Sequence, residues 1–323
     1  MISLTSPLVF DAIPVSRPWA GTLAQDYLHG SAVPGANVDI GEICYIEDSP
    51  VRSSTVSDGV FQGMPLSELM LRHARALVGR RHSGASFPLA VRMLDVGQDL
   101  SLWVHPPRDD TSDNPGTIKF WYSLAENPEA SIAVGLQMRA TRDQFLRKLN
   151  LPDLHDHLQV FPARAGDAFF ILPGRVHGAS AGNLLIEIAH CDSAPLCVTR
   201  FVVESAPPSA EQERAVRAIR FKDRQVGRIS REAARPTHSR RVPLVPHCPE
   251  FTIDEVRVVD HVRDRTTGES FHLIFVVHGG IRLSWSNGEL PLEQGRLCCI
   301  PADLGPYAIE KSGGVAGYLR VTL

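Results

Sequence analysis

Residues Phe87 to Asp110 read FPLAVRMLDVGQDLSLWVHPPRDD and contain two short apolar runs, LAVRMLDV and LSLWVHP, on either side of a turn. Short runs rich in branched and aromatic side chains, bounded by Gly, Pro and Asp, are typical of β-strands. Runs of the same kind follow along the first half of the chain, among them ASIAVGLQM, AFFILP and LLIEIAH. The sequence therefore predicts a mainly β protein, arranged as a sandwich or barrel.

Two helices interrupt the predicted strands of the first half. From Leu66 to Leu77 the apolar residues recur on one helical face, and Thr141 is a suitable N-cap for a helix from Thr141 to Leu149. Both helices are expected to cover the outside of a β core. A polar segment from Ser205 to about Pro246 has little strand character, and we predict a connector there with a helix near residues 211–219.

The second half contains another series of short apolar runs. They read FTIDEVRVVD, SFHLIFVVHGG, IRLSWSNGELPL, GRLCCIPA and AGYLRVTL, and the pair Asn287-Gly288 predicts a hairpin. The segments RAGDAFFILPGRVHG and EQGRLCCIPADLGPY form a weak internal repeat, which favours two copies of one β unit. We predict an N-terminal domain with helical additions over residues 1–204, a connector over 205–246 and a smaller C-terminal domain over 247–323.

The composition narrows the class of protein. The chain has 323 residues, a net charge of -3 and 43% hydrophobic residues, which is ample for a buried core and gives no general attraction to nucleic acid or to a membrane. No targeting segment or membrane span is recognisable, so a cytoplasmic location is the expectation. The six cysteines lack CxxC spacing, which indicates neither a zinc ribbon nor a disulfide framework.

The strand pattern contains motifs that resemble a known family. Gly166-Asp167 followed by Pro173-Gly174-x-x-His177 resembles the second cupin motif, and residues 87–110 resemble the signature of the type I phosphomannose isomerases. Further matches occur in the order of that family. They are RPWAGTL from Arg17, IGEICYIED from Ile40, GTIKFWYSL from Gly116, PGRVHGASAG from Pro173 and LLIEIAHCDS from Leu184. The resemblance implies two cupin-type, jelly-roll barrels, of which the first carries the site.

The resemblance also implies an activity and a metal. The family converts mannose 6-phosphate, or a similar sugar phosphate, between aldose and ketose through an enediol polarised by zinc or a similar divalent metal. The ligand positions of the family fall on Trp103, His105, Lys119 and His177 in this chain. Indole offers only an N–H donor and an ammonium group has no lone pair, so His105 and His177 are the ligands that remain. Residues that could supply a replacement ligand are Glu187, His190 and Asp192.

The resemblance assigns roles to further residues. Arg200 is the candidate for the catalytic arginine that stabilises the enediolate if extra residues are allowed in the match, whereas an ungapped match puts Cys197 at that position. Arg92 retains a positive charge that the family has at its position. Trp103 could stack on a sugar ring while Lys119 attracts phosphate. Alternatively, Trp103 fills the space of a metal and Lys119 reaches solvent or pairs with Glu187.

Three classes of function remain open from the sequence. The first is a metal-dependent aldose–ketose isomerase, and the second is a catalytically degenerate cupin that binds a sugar or sugar phosphate without metal. A purely structural module is the third. His155 and His157 have HxH spacing but follow a helix in a polar connection, so we interpret them as surface histidines. The spacing from Gly166 to Pro173 predicts a bulge in the strand before His177.

Overall fold

The computed structural model describes residues 4–28, 39–107, 116–190, 194–199, 208–229, 237–245 and 247–323. Within these residues lie the strands β1 (Ile13–Ser16), β2 (Ile40–Ile46), β3 (Asp48–Ser49), β4 (Arg52–Ser53), β5 (Leu89–Val96), β6 (Leu102–Val104), β7 (Ile118–Ser123), β8 (Asn127–Leu136), β9 (Leu158–Ala163), β10 (Ala168–Ile171), β11 (His177–Ala179), β12 (Asn183–His190), β13 (Leu196–Thr199), β14 (Arg228–Ile229), β15 (Arg240–Val245), β16 (Thr252–Val258), β17 (His261–Arg265), β18 (His272–His278), β19 (Gly280–Trp285), β20 (Gly288–Glu293), β21 (Leu297–Ile300), β22 (Pro306–Lys311) and β23 (Ala316–Thr322). The α-helices are α1 (Leu23–Tyr27), α2 (Leu66–Val78), α3 (Arg142–Lys148) and α4 (Ala210–Ala218). The prediction of a mainly β protein is confirmed.

The strands up to β14 form the first barrel, apart from β3 and β4, which make a separate two-stranded sheet. A seven-stranded sheet in the order β1-β2-β5-β12-β7-β10-β14 faces a five-stranded sheet in the order β13-β6-β11-β8-β9. Alternation along each strand sends one set of side chains inward and the other outward. The inward-facing side chains include an apolar cluster to which Val96, Trp121, Val134, Phe169 and Leu185 belong. The strand pairs are antiparallel, as a jelly roll requires.

The remaining strands form a second, smaller barrel. A five-stranded sheet in the order β15-β16-β23-β18-β21 faces a four-stranded sheet in the order β17-β22-β19-β20. Its interior is filled by residues such as Val256, Ile274, Leu283, Ile309 and Tyr318. The predicted hairpin lies between β19 and β20, where Trp285 pairs with Gly288. The two-residue turn is therefore Ser286-Asn287, one position earlier than the Asn-Gly pair suggested.

The two barrels share a third apolar core between them. The outer face of the seven-stranded sheet packs on the outer face of the five-stranded sheet of the second barrel. Aromatic pairs cross this boundary: Tyr45 lies 5.5 Å from Phe275 between ring centroids, and Phe87 lies 4.8 Å from Phe271. The molecule is thus a stack of sheets in which one core belongs to both barrels.

The predicted helices are confirmed, and they cover the outside of the sheets. α2 contributes Leu66, Leu69 and Leu77 to the shared core. α3 begins after Thr141, whose side chain accepts a hydrogen bond from the backbone N–H of Gln144 in a capping box. α3 and α4 cover the outer face of the five-stranded sheet of the first barrel. No helix among the described residues is long and apolar enough to cross a membrane.

The predicted bulge in the strand before His177 is wrong. β10 pairs with β7 in continuous register from Ala168–Tyr122 to Ile171–Lys119. The additional residue is accommodated after the strand, in the turn Leu172–Arg175 that a backbone hydrogen bond closes. A residue that follows the last pair of a ladder can enter a turn without disturbing the ladder.

Leu8 and Val9 lie against the second barrel although they precede every strand of the first. Leu8 forms an isolated antiparallel bridge with Cys299, and two backbone hydrogen bonds of 2.8 Å join the pair. Val9 belongs to the apolar interior of the second barrel. The division of the chain into segments 1–204, 205–246 and 247–323 stays a prediction.

Candidate functional site

Four residues of the seven-stranded sheet project into the first barrel from three neighbouring strands. Lys119 and Trp121 are two residues apart on β7 and therefore share a face. Glu187 on β12 pairs with Trp121 on one side and with Arg92 of β5 on the other. Paired residues of antiparallel strands project to the same side, so a lysine, an indole, a carboxylate and a guanidinium meet at one point of the wall.

The opposite sheet supplies the histidines. His177 on β11 pairs with Trp103 on β6, and His105 follows directly after β6. The rings of His105 and His177 are nearly parallel, with centroids 5.8 Å apart, and the Trp121 ring approaches His177 edge-on at 5.3 Å. The four positions read from the resemblance thus meet inside one barrel.

Glu187 is a carboxylate held by three donors. Its Oε2 atom accepts hydrogen bonds from Lys119 Nζ at 3.0 Å and from Trp121 Nε1 at 2.9 Å. Its Oε1 atom lies 3.4 Å from Arg92 Nη1. Burial by itself raises the pKa of Glu187, but the charges of Lys119 and Arg92 and the indole hydrogen bond outweigh it and hold the pKa well below its usual range. The carboxylate is therefore ionised, and each of its two oxygen atoms has a side-chain donor.

His177 is a neutral imidazole. It is 2% exposed, and its Nδ1 atom lies 3.1 Å from the carbonyl oxygen of Arg175. A carbonyl only accepts, so Nδ1 carries the proton and Nε2 keeps a lone pair. Burial, followed by the nearby charge of Lys119 and the neighbouring His105, lowers the pKa of His177 to about 3. At neutral pH the ring is therefore uncharged, and its Nε2 atom can accept a hydrogen bond or donate a lone pair.

A network of ion pairs surrounds this site and was missed by sequence reasoning. Arg92 Nη2 lies 3.2 Å from Glu47 Oε2, and Arg92 Nε lies 3.5 Å from Glu42 Oε1. Arg52 Nη1 lies 3.0 Å from Glu47 Oε2. Arg17 also approaches Glu42, at 2.6 Å. The signal was present in IGEICYIED, where Glu42 stands at an inward position of an otherwise apolar strand. The network orients Arg92 toward the barrel interior.

The residues present do not fit a divalent metal. No three His, Cys, Asp or Glu side chains in the described part of the chain are grouped as a metal site. Glu187, the replacement ligand considered from the sequence, is bound by Lys119, Trp121 and Arg92 instead. An ammonium group about 4 Å from a dication repels it by about 8 kcal/mol at an effective dielectric constant of about 20. Two histidines are too few to outweigh such repulsion.

Other predicted site residues lie elsewhere. His190 is on the opposite face of β12 from Glu187, where Glu250 and His82 act on its pKa, which burial lowers. Arg200 and Asp192 lie outside the described residues. His155 is exposed in the short 3₁₀ helix Pro152–His157, as the interpretation of a surface histidine requires.

The second barrel contains a separate polar cluster. Arg320 Nη2 donates to His272 Nε2 at 2.9 Å, while His272 Nδ1 lies 2.6 Å from the Tyr307 hydroxyl. Arg320 also lies 2.8 Å from Asp264 and 3.3 Å from Asp254. Arg241 also pairs with Asp254 and Asp264. The two positive and two negative charges of this cluster therefore balance each other within the second barrel.

The comparisons with known proteins agree with the fold. Residues 18–139 match the family model described as phosphomannose isomerase type I, catalytic domain, and residues 244–317 match mannose-6-phosphate isomerase, cupin domain. YvyI of Bacillus subtilis (strain 168) is 24% identical over 314 residues, which are 94% of this chain and 96% of that protein. The mannose-6-phosphate isomerase ManA of the same organism is 29% identical over 187 residues, 57% of each chain.

Solved structures extend the likeness over the full length. The crystal structure of mannose 6-phosphate isomerase from Bacillus subtilis has a TM-score of 0.81 at 23% identity and covers 98% of this chain and 99% of that one. A mannose 6-phosphate isomerase bound with zinc and yttrium has a TM-score of 0.76 at 14% identity, with coverage of 98% and 99%. This chain therefore shares the fold of both isomerase structures. Because separate segments of the chain match two models of phosphomannose isomerase domains, the resemblance to the type I phosphomannose isomerases that the motifs predicted is confirmed.

Proposed function

We propose that this chain is an aldose–ketose isomerase of a hexose 6-phosphate, with mannose 6-phosphate as its substrate. The observation that carries the proposal is the convergence of Trp103, His105, Lys119 and His177 inside the first barrel, beside Arg92. Relatives along the sequence are named mannose-6-phosphate isomerases. A phosphorylated sugar also suits the chemistry of the pocket, which offers an indole face and cationic side chains.

The substrate would be held by the residues that line this interior. Trp103 is partly buried on β6 and can stack on the apolar face of a sugar ring. Lys119 and Arg92 keep 15% and 25% of their side chains exposed, so both can bind anionic or hydroxyl oxygens while they stay bonded to Glu187. We place the phosphate and the reacting end of the sugar between these groups.

The isomerisation moves one proton between adjacent carbons. A base removes the proton from C2 of the open-chain aldose, and the C1 carbonyl oxygen becomes an enediolate oxygen. A proton then passes from the C2 hydroxyl group to the oxygen on C1, and return of the first proton to C1 leaves the 2-ketose with its carbonyl at C2. The neutral imidazole of His177, with Nε2 free of the proton, is the base that we propose, because the negative charge of a bound sugar phosphate raises the low pKa that burial and Lys119 give this ring. Arg200 stays the proposed stabiliser of the enediolate.

The test follows mannose 6-phosphate and the corresponding 2-ketose phosphate by NMR in D₂O. Isomerase activity predicts conversion of mannose 6-phosphate to the corresponding 2-ketose phosphate, with deuterium incorporated at the carbon that receives the proton. His177→Gln should lower kcat by about 100-fold or more, since general base catalysis contributes on this scale. His155→Gln removes an exposed histidine and is the matched control, expected to retain the parent rate.

Two results would contradict the proposal. Thermal stabilisation by mannose 6-phosphate without turnover would show a catalytically degenerate sugar-phosphate binding protein, since a ligand that binds only the folded state raises the Tm. The absence of both stabilisation and turnover would reject a sugar-phosphate function for this barrel.

A further inference from the structure

The charge balance of the first barrel departs from that of a metal site. In the described ion-pair network, the four cationic side chains of Arg17, Arg52, Arg92 and Lys119 contact three carboxylates, which leaves one positive charge in excess. The carboxylates are Glu42, Glu47 and Glu187. A dication is stabilised by a surplus of negative ligands. A surplus of positive charge favours an anion instead.

The position of Lys119 is fixed by the residues around it. Its Nζ atom is bonded to Glu187, whose Oε2 also accepts from Trp121. The Trp121 ring contacts His177, which in turn stacks with His105. The ammonium group is therefore held at the wall directly facing the two histidines, where a bound ion would have to lie.

We infer that the ammonium group of Lys119 takes the place of a divalent metal, so that this barrel holds its own cation and presents it to an oxygen of the sugar phosphate. The inference rests on the proposed function for its substrate, but its claim about the metal stands on the geometry alone. Glu187 and Trp121 position the ammonium, in the way that outer ligands position a metal. The protein is accordingly a metal-free member of its family.

The test begins with zinc binding in the absence of sugar. The parent protein, purified without a polyhistidine tag and dialysed against zinc chloride, should contain far less than one zinc per chain by elemental analysis. Lys119→Glu replaces the ammonium by a carboxylate beside two histidines and Glu187, and should bind zinc about 100-fold more tightly than the parent in calorimetric titration. Lys119→Met removes the charge without adding a ligand, so its zinc affinity should lie between those of the parent and of Lys119→Glu.

Lys311→Met is the matched control. Lys311 is an exposed lysine at the end of β22 in the second barrel, so its removal should leave zinc affinity close to that of the parent. Thermal unfolding verifies that each variant is folded. Stoichiometric zinc in the parent, or a folded Lys119→Glu variant that gains no affinity, would overturn the inference.

Turnover separates this inference from the proposed function. Isomerase activity that persists after treatment with a chelator supports both the proposed function and the metal-free site. Isomerase activity that is lost on chelation and restored by zinc keeps the proposed function and overturns the metal-free site. A protein without zinc and without turnover overturns the proposed function, while the zinc titrations still decide the role of Lys119.

Discussion

Glu187 has two roles at the scale of single residues, since it neutralises Lys119 and aligns Trp121 through the same oxygen atom. Its side chain is 4% exposed, whereas the side chains of Lys119 and Arg92 keep partial access to solvent. The cost of desolvation therefore falls mainly on the carboxylate. Removal of this one charge would leave two cations facing each other in a partly buried wall.

We expect Glu187→Gln to lower the free energy of unfolding by about 3 kcal/mol or more, because it breaks a buried ion pair from one side. Urea unfolding measures the change. Glu293→Gln at an exposed position of β20 is the control, and it should stay within about 0.5 kcal/mol of the parent protein. Equal effects in the two variants would show that the ion pair contributes nothing to stability.

His272 provides a second prediction at this scale, because Arg320 can only donate and therefore requires a neutral acceptor at Nε2. Burial, and then the charge of Arg320, lowers the pKa of His272 to about 3 from a usual 6.5. Between these values the unfolded chain binds a proton that the folded chain does not, so stability falls as the pH falls from 6.5 toward 3. The charged or titratable groups that face His272 are Tyr307, Arg320, Asp264, Asp254 and Arg241.

His272→Gln should remove part of this pH dependence. The slope of unfolding free energy against pH is expected to decrease by about 1.4 kcal/mol per pH unit between pH 6 and 4.5, as one proton is no longer taken up on unfolding. Urea unfolding at several pH values measures the slope. The exposed His247 gives the control variant His247→Gln. An unchanged slope in His272→Gln would show that the ring is already charged in the folded protein.

The sequence predicted which residues converge in the first barrel better than it predicted their contacts, while their roles stay a prediction. His105, His177, Trp103 and Lys119 could be read from motif positions, and the pairing of Lys119 with Glu187 was one of two alternatives. Trp121 was missed although it lies two residues after Lys119, where strand alternation puts it on the same face. The choice between the alternatives depends on the register of β7 against β12, which is set by pairs of residues far apart in the chain.

At the scale of elements, the helices are the features with the clearest local signals. The capping boxes of α3 and α4 use Thr141 with Gln144 and Ser209 with Gln212, four residues whose spacing is visible in the sequence. The predicted bulge failed for the opposite reason. A spacing between two motifs gives the number of residues but not whether the additional one enters the strand or the turn after it.

We expect Thr141→Ala to destabilise the protein by about 1 kcal/mol, because the backbone N–H of Gln144 loses its acceptor. Ser209→Ala should have a similar effect on α4. Thermal and urea unfolding measure both changes, and Thr141→Ser, which keeps the hydroxyl group, is the control. A loss of stability in Thr141→Ser as large as in Thr141→Ala would refute the capping explanation.

At the scale of the whole molecule, the core between the barrels couples their stabilities. Phe275 is 1% exposed and packs on Tyr45 of the first barrel, so each barrel completes the other. No local signal predicts such an arrangement, since an outward apolar face on a strand fits a helix, a second barrel or a second subunit equally well. The sequence therefore predicted two barrels without predicting how they pack.

Phe275→Ala should cost about 3 to 5 kcal/mol, the range for removing a buried aromatic side chain. Because the shared core links the barrels, calorimetry should still detect a single unfolding transition at a lower Tm. Val315→Ala at an exposed site is the control. Two separate transitions in the variant or the parent would show that the barrels unfold independently.

The bridge between Leu8 and Cys299 links the order of synthesis to the completion of the fold. Leu8 and Val9 leave the ribosome among the first residues of this sequence, but the surface that receives them exists only after β21 has been made. During translation the bridge from Leu8 to Cys299 stays unmade while the first barrel forms, whereas the carbonyl oxygen of Val9 can already accept a hydrogen bond from Ser57. Closure of the second barrel on them is accordingly among the last events on the way to the native protein, so a change at Leu8 should act on the end of folding rather than on its beginning.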